Sequence, residues 1–82
     1  MASRKEKKMT LFEKFCWLAH LYTEVTGRVT TTRDIQPFVA IFEKGNTYSV
    51  RIHSESFHSD ESIEDAATRA LYCLTLRKQR AA

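Results

Sequence analysis

The hydrophobic pattern of this chain changes period twice, and that limits its fold more than any other feature. Leu11, Phe15, Leu18, Tyr22 and Val25 recur at helical spacing, with Phe12 and Ala19 widening the stripe. Further on the period falls to two. Tyr48, Val50 and Ile52 alternate with Ser49, Arg51 and His53, the pattern of a half-buried strand. Ile63, Ala66, Ala67, Ala70, Leu71 and Leu74 then restore helical spacing. A helix, a block of strands and a second helix must share one core.

Local signals set the boundaries. Thr10-Leu11-Phe12-Glu13 is a capping box, so the first helix is predicted over Leu11–Thr26, with Gly27 as its left-handed stop. On its far side Trp17 and Leu21 lie one turn apart. Residues 28–37 carry no period and read as a strand or an extended loop closed by Pro37. Phe38 to Lys44 reads as a strand, Gly45-Asn46 as a two-residue turn and Thr47 to His53 as the partner strand. A short third strand, Glu55 to His58, is anchored by Phe57. Ser62-Ile63-Glu64-Asp65 opens the second helix, which ends near Leu76. The prediction is an α+β fold: a single αβββα domain over residues 10–76, with a three-stranded antiparallel sheet and two helices. Residues 1–9 are expected to be a flexible basic tail, and residues 77–82 a second basic tail.

Composition narrows the function. Eighty-two residues make one small domain with little room for an enclosed active site. An apolar share of 43% with two Gly and one Pro excludes a disordered or low-complexity chain. No apolar run is long enough for a membrane helix, and no export signal is evident, so a cytoplasmic protein is expected. Cys16 and Cys73 are then expected to be buried thiols.

The formal charge is +3, but it is unevenly spread. Arg4, Lys5, Lys7 and Lys8 against Glu6 give the first eight residues +3, and Arg77, Lys78 and Arg80 give the last six another +3. The stretch between them carries six basic and nine acidic residues, a net −3. Glu55, Asp60, Glu61, Glu64 and Asp65 concentrate the acids near the start of the second helix. They read either as ordinary acids at a helix N-terminus or as a surface that docks on a basic partner.

Strand parity supplies further candidates. Pairing across a Gly45-Asn46 turn puts Val39 and Ile41 with Tyr48, Val50 and Ile52 on the core face. Phe38, Ala40, Phe42, Ser49, Arg51 and His53 take the other face. If both helices cover the same side, Phe38, Phe42 and Arg51 face water and invite a partner, either a protein or a single-stranded nucleic acid. Alternatively the first helix or a second copy covers them. Trp17 is a candidate anchor or a cap on the core. Cys16, His20, His53 and His58 have no zinc-site spacing, and no nucleophile elbow, phosphate loop or paired acid is present, so no metal, cofactor or catalytic residue is assigned.

The αβββα order resembles the double-stranded-RNA-binding domain, with Leu11–Thr26 as first helix, Phe38–Phe57 as strands and Ser62–Leu76 as last helix. That resemblance implies the fold. The family's phosphate-gripping lysine pair falls here on Asp60-Glu61-Ser62-Ile63-Glu64-Asp65, and its loop histidine on Lys44-Gly45-Asn46-Thr47, so its site residues do not carry over. Tyr48-Ser49-Val50-Arg51-Ile52 followed by Asp60-Glu61-Ser62-Ile63-Glu64-Asp65-Ala66-Ala67 also resembles the strand-then-helix core of HicB-type antitoxins. In style the chain is similar to small phage or mobile-element accessory proteins, anti-CRISPR inhibitors among them. The expectation is a non-enzymatic binder, a phage-encoded inhibitor that occupies a basic surface of a host defence (CRISPR-type) protein through Glu55, Asp60, Glu61, Glu64 and Asp65, with Trp17, Phe38, Phe42 and Arg51 as further contacts. The alternative is a nucleic-acid-binding module using the sheet face and the basic tails. A homodimer built on the Phe face is a third reading.

Overall fold

The computed structural model describes residues 9–81. It is an α+β fold in the order α1 (Leu11–Thr26), β1 (Ile35–Phe42), β2 (Gly45–Ile52), β3 (Glu55–Ser59), α2 (Ile63–Ala81). A 3-10 turn at Thr32–Asp34 precedes β1. The strands form one antiparallel sheet with β2 in the centre. The tail expected at residues 1–9 lies outside the described residues, apart from exposed Met9.

The first helix begins and ends as its sequence dictates. The Thr10 N–H donates to Glu13 Oε1 at 2.8 Å, and the Glu13 N–H donates to Thr10 Oγ1 at 3.1 Å. Gly27 closes the helix at φ 76°, its N–H donating to the Thr23 carbonyl at 2.8 Å. At α2 only half of the expected box forms. The Asp65 N–H donates to Ser62 Oγ at 2.9 Å, while the Asp65 carboxylate turns to Ser59 and Arg69.

The helices run parallel, side by side. Lys14 Nζ donates to Thr68 Oγ1 at 2.9 Å, and further along Lys78 Nζ meets Glu24 Oε1 at 2.7 Å. The same sequence offset at both points fixes the direction. Ala66, Ala67 and Ala70 are fully buried at the α2 contact, so small side chains let the helix lie close to its neighbours. Leu18, Ala19, Leu21 and Tyr22 of α1 join Ile35, Val50, Ile52 and Leu74 in one core cluster. Leu21 therefore does not project outward with Trp17. A helix that meets both α2 and the strand layer buries a wider arc than a single stripe. Phe12, expected on that stripe, is 66% exposed.

Two boundaries differ from expectation. The first turn is Glu43-Lys44, with Phe42 opposite Gly45 and Ile41 opposite Asn46. Gly45 holds φ 146°, a backbone angle that L side chains rarely adopt, so the glycine opens β2 instead of forming the turn. This register extends the ladder to Ile35, which pairs with Ile52 and enters the core. The face assignment survives because the shift is even. Val39 and Ile41 lie on the helix side as expected, but the hairpin end reaches past the helices, leaving them 44% and 80% exposed.

The second difference is the C-terminus. The expected basic tail at residues 77–82 is helix through Ala81; Ala82 lies outside the described residues. Arg77 and Lys78 are held by long-range ion pairs with Glu55 and Glu24, and cations suit a helix C-terminus.

Hydrogen-bond parity follows from the turn. With Phe42 and Gly45 closing it, even-numbered residues of β1 carry the ladder to β2 and odd ones turn outward. Pro37, which has no N–H, sits at an outward position, where an edge strand tolerates it. The Ile35 N–H, also outward, donates to the Thr32 carbonyl.

Candidate docking surface

The core residues of the sheet share the face that the helices cover, so the opposite face is open. Cross-strand pairing places Phe38, Ser49 and His58 in one row across it, and Gln36, Arg51 and Ser56 in the next. Phe42 ends the same face at the hairpin tip. Phe38 is 44% exposed and Phe42 60%. Arg51 is exposed beside them. Ser49, at the centre, is buried and its Oγ lies 2.8 Å from His58 Nδ1, which fixes the middle of the face.

His53 is not on this face. It occupies the second turn at φ 55°, with Nε2 3.1 Å from Thr30 Oγ1 and its ring 5.5 Å from the Tyr22 ring. Those contacts draw it to the helix side.

The five candidate acids divide into two groups. Glu55 receives Arg77 through two nitrogens, at 2.8 and 3.2 Å, and the Tyr22 hydroxyl at 3.2 Å. The Arg77 guanidinium holds the Glu55 carboxyl below its usual range, while burial and the nearby carboxylate raise the Tyr22 phenol. Asp65 accepts from Ser59 Oγ at 2.6 Å and Arg69 Nε at 2.9 Å, and these bonds lower its pKa. Both carboxylates are committed to the fold. Asp60, Glu61 and Glu64 are exposed and form no ion pair with any described residue.

An open concavity of about 580 Å³ links this acidic group to the aromatic face. Phe42, the Glu43-Lys44 turn and Thr47 form one side, and Asp60 the other. At the far end of the sheet a polar cleft of about 290 Å³ gathers Arg33, Asp34, Gln36, Arg51 and His53. The apolar anchors are not brought together. Trp17 is 52% exposed on the outer side of α1, edge-on to His20 and beside Cys16, across the molecule from Phe38 and Phe42.

Sequence reasoning missed the groove of about 620 Å³ between β3 and α2, lined by Phe57, His58, Arg69, Tyr72 and Cys73. Cys16 and Cys73, expected to be buried, are both exposed. Each sits on the outward side of its helix, where the core has no claim on it. Among the described residues, no three His, Cys, Asp or Glu side chains gather as a metal site would require. No helix there is long and apolar enough to cross a membrane.

Residues 9–81 hold nine basic and nine acidic side chains. With the C-terminal cations in the helix the described domain is neutral, not −3, and polarised along α2. Comparison with protein-family models, curated proteins and solved structures found no match to the chain.

Proposed function

We propose that the chain is a non-enzymatic binding protein that docks on a basic surface of another protein. One observation carries this: the concavity that sets exposed Phe42 beside Asp60, next to Glu61 and Glu64. An apolar anchor flanked by Glu43, Lys44 and Asp60, with Glu61 and Glu64 following Asp60 in the chain, has the anatomy of a steered interface, with burial for affinity and charge for orientation. The docking acids are Asp60, Glu61 and Glu64, since Glu55 and Asp65 are internally paired. Phe38 and Arg51 extend the contact along the face, and Trp17 belongs to a separate surface. A phage-encoded inhibitor of a CRISPR-type defence complex, acting in the host cytoplasm, is the biological form of this proposal. Such complexes display basic grooves for nucleic acid.

The test is quantitative affinity capture from cells of the native host, with mass spectrometry of the bound proteins. Reversing Asp60, Glu61 and Glu64 to Lys is expected to remove the specifically captured protein while leaving the circular dichroism unchanged. An undiminished yield would eliminate the electrostatic part of the reading.

A second reading, single-stranded nucleic-acid binding, is favoured by the polar cleft that joins Arg33, Gln36 and Arg51 to the Phe38 row. Bases stack on such aromatic and guanidinium surfaces, and binding weakens steeply with salt. Fluorescence anisotropy with a labelled oligonucleotide separates the two. Salt-sensitive binding that Arg51→Ala removes supports this reading over the first.

A further inference from the structure

Phe38-Val39-Ala40-Ile41-Phe42 is apolar at five consecutive positions, the pattern of a strand buried on both faces. Yet β1 is an edge of the sheet. Phe38 and Val39 are each 44% exposed, Phe42 60% and Ile41 80%. Phe38 and Phe42 lie on the open face and Val39 and Ile41 on the helix face, so apolar surface borders the free edge from both sides. Charged residues, the common protection of a sheet edge, are absent from this run.

The run is also palindromic about Ala40. Phe stands two residues to either side, and a β-branched residue one to either side. We propose that the occupant of this edge is a second copy of the chain, paired antiparallel along β1 with the twofold axis at Ala40. In that register Phe38 faces Phe42 of the second copy and Val39 faces its Ile41, and the reverse holds by symmetry.

Backbone and charge fit the same register. The outward residues of β1 are the odd ones, and Val39 and Ile41 have outward N–H groups with no hydrogen-bond acceptor among the described residues. Each Val39–Ile41 pair exchanges both of its N–H···O bonds, and the Ala40 pair is the close, non-hydrogen-bonded kind. Glu43 meets Pro37 and Lys44 meets Gln36, so no like charges are opposed. Neighbouring registers fail. An axis at Val39 sets Phe42 against Gln36 and moves Pro37 inward against Ile41, so only the Val39 pair exchanges both of its bonds, whereas the axis at Ala40 leaves Pro37 at the end of the ladder opposite Glu43. An axis at Ile41 sets Val39 against Glu43 and Phe38 against Lys44.

The two sheets become one, with both open faces on the same side, so each copy keeps its Phe42–Asp60 concavity. Phe38 and Phe42 serve both contacts, while Val39, Ala40 and Ile41 belong to the edge alone, so variants at Ala40 and Ile41 test the pairing separately from the docking proposal above. An interface of one short strand per copy belongs to the small class, and micromolar association is expected.

Sedimentation velocity of the full chain, from low micromolar to several hundred micromolar, tests it. The mass is expected to rise from the 9.5 kDa of one chain to twice that. Ile41→Lys should weaken association at least tenfold with unchanged circular dichroism, because Ile41 is 80% exposed in the single chain. Ala40→Cys, with Cys16 and Cys73 changed to Ser, should form a disulfide dimer under mild oxidation. Cα atoms in a non-hydrogen-bonded pair lie about 4.5 Å apart, within disulfide range. Thr75→Cys, exposed on α2, should crosslink far more slowly in the same background. A chain that stays monomeric throughout overturns the proposal. So does a dimer that survives Ile41→Lys, or Ala40→Cys crosslinking no faster than Thr75→Cys.

Discussion

Leu74→Ala is expected to remove about 2–5 kcal/mol of folding stability. A domain of this length holds roughly 4–12 kcal/mol in all, so the variant sits near its folding threshold. The large effect follows from where Leu74 lies. It is fully buried, in the cluster that joins α1 to β2. The other buried residues of α2 are Ala66, Ala67 and Ala70, whose short side chains cannot swing into the hole. The cavity therefore persists, and its cost adds to the lost transfer energy. Urea titration followed by circular dichroism measures the effect. Tyr72→Ala, two residues away on the same helix but 65% exposed, should change stability by less than about 0.5 kcal/mol. Equal effects at the two positions would mean that α2 does not present Leu74 to the core.

Truncation after Leu76 is the second large effect. It removes Arg77 and Lys78, and with them the ion pairs that tie the end of α2 to Glu55 and Glu24. Loss of Arg77 leaves the partly buried Glu55 with only the Tyr22 hydroxyl. A drop of about 1 kcal/mol is expected at neutral pH from the Arg77–Glu55 pair, which is bidentate but a third or more exposed and so screened by solvent. The pH dependence has a definite sign. Arg77 depresses the Glu55 pKa and Lys78 depresses that of Glu24. Their stabilisation is present above the ordinary carboxylate range and is lost as pH falls through the lowered values in the folded state. Thermal unfolding of the full chain should therefore weaken below about pH 5. The truncated chain should show a shallower acid limb, and the gap between the two should close as the pH falls. A constant gap down to strongly acidic pH would mean that the lost residues act by packing alone.

These residues also show what the sequence discloses and what it withholds. The helix starts at Thr10 and Ser62 and the stop at Gly27 were legible because capping is local chemistry. The strand faces were legible because their period is two. The end of α2 was not. Its apolar stripe stops at Leu74, and the helix is extended by ion pairs to residues 22 and 54 positions away, which no window of sequence contains. The first turn differs from its local signal for a related reason. Gly45-Asn46 is the stronger local signal, but the long ladder that brings Ile35 opposite Ile52 outweighs it. The helical stripe places Leu21 on the outer face because one stripe cannot show that α1 meets two neighbours.

The candidate site was half legible for the same reasons. Phe38, Phe42 and Arg51 share the open face as parity required. The acidic run could not reveal that Glu55 and Asp65 are already paired, because their partners Arg77 and Arg69 come from the helix packed beside them or from its next turn. For the proposed docking, this sorting leaves Asp60, Glu61 and Glu64 as the available charge. The neutral balance of the described domain gives the short acidic group its influence: orientation comes from local charge rather than from the sign of the whole chain.

The most direct measurement compares capture from host cells by three forms of the protein, namely wild type, Phe42→Ala and Trp17→Ala. A central aromatic anchor contributes at least about 2 kcal/mol to binding, roughly a thirtyfold change in affinity. Phe42→Ala is expected to lose the protein that wild type retains, and Trp17→Ala to keep it. Retention by Phe42→Ala together with loss by Trp17→Ala would contradict docking through the sheet face and place it on the helix layer.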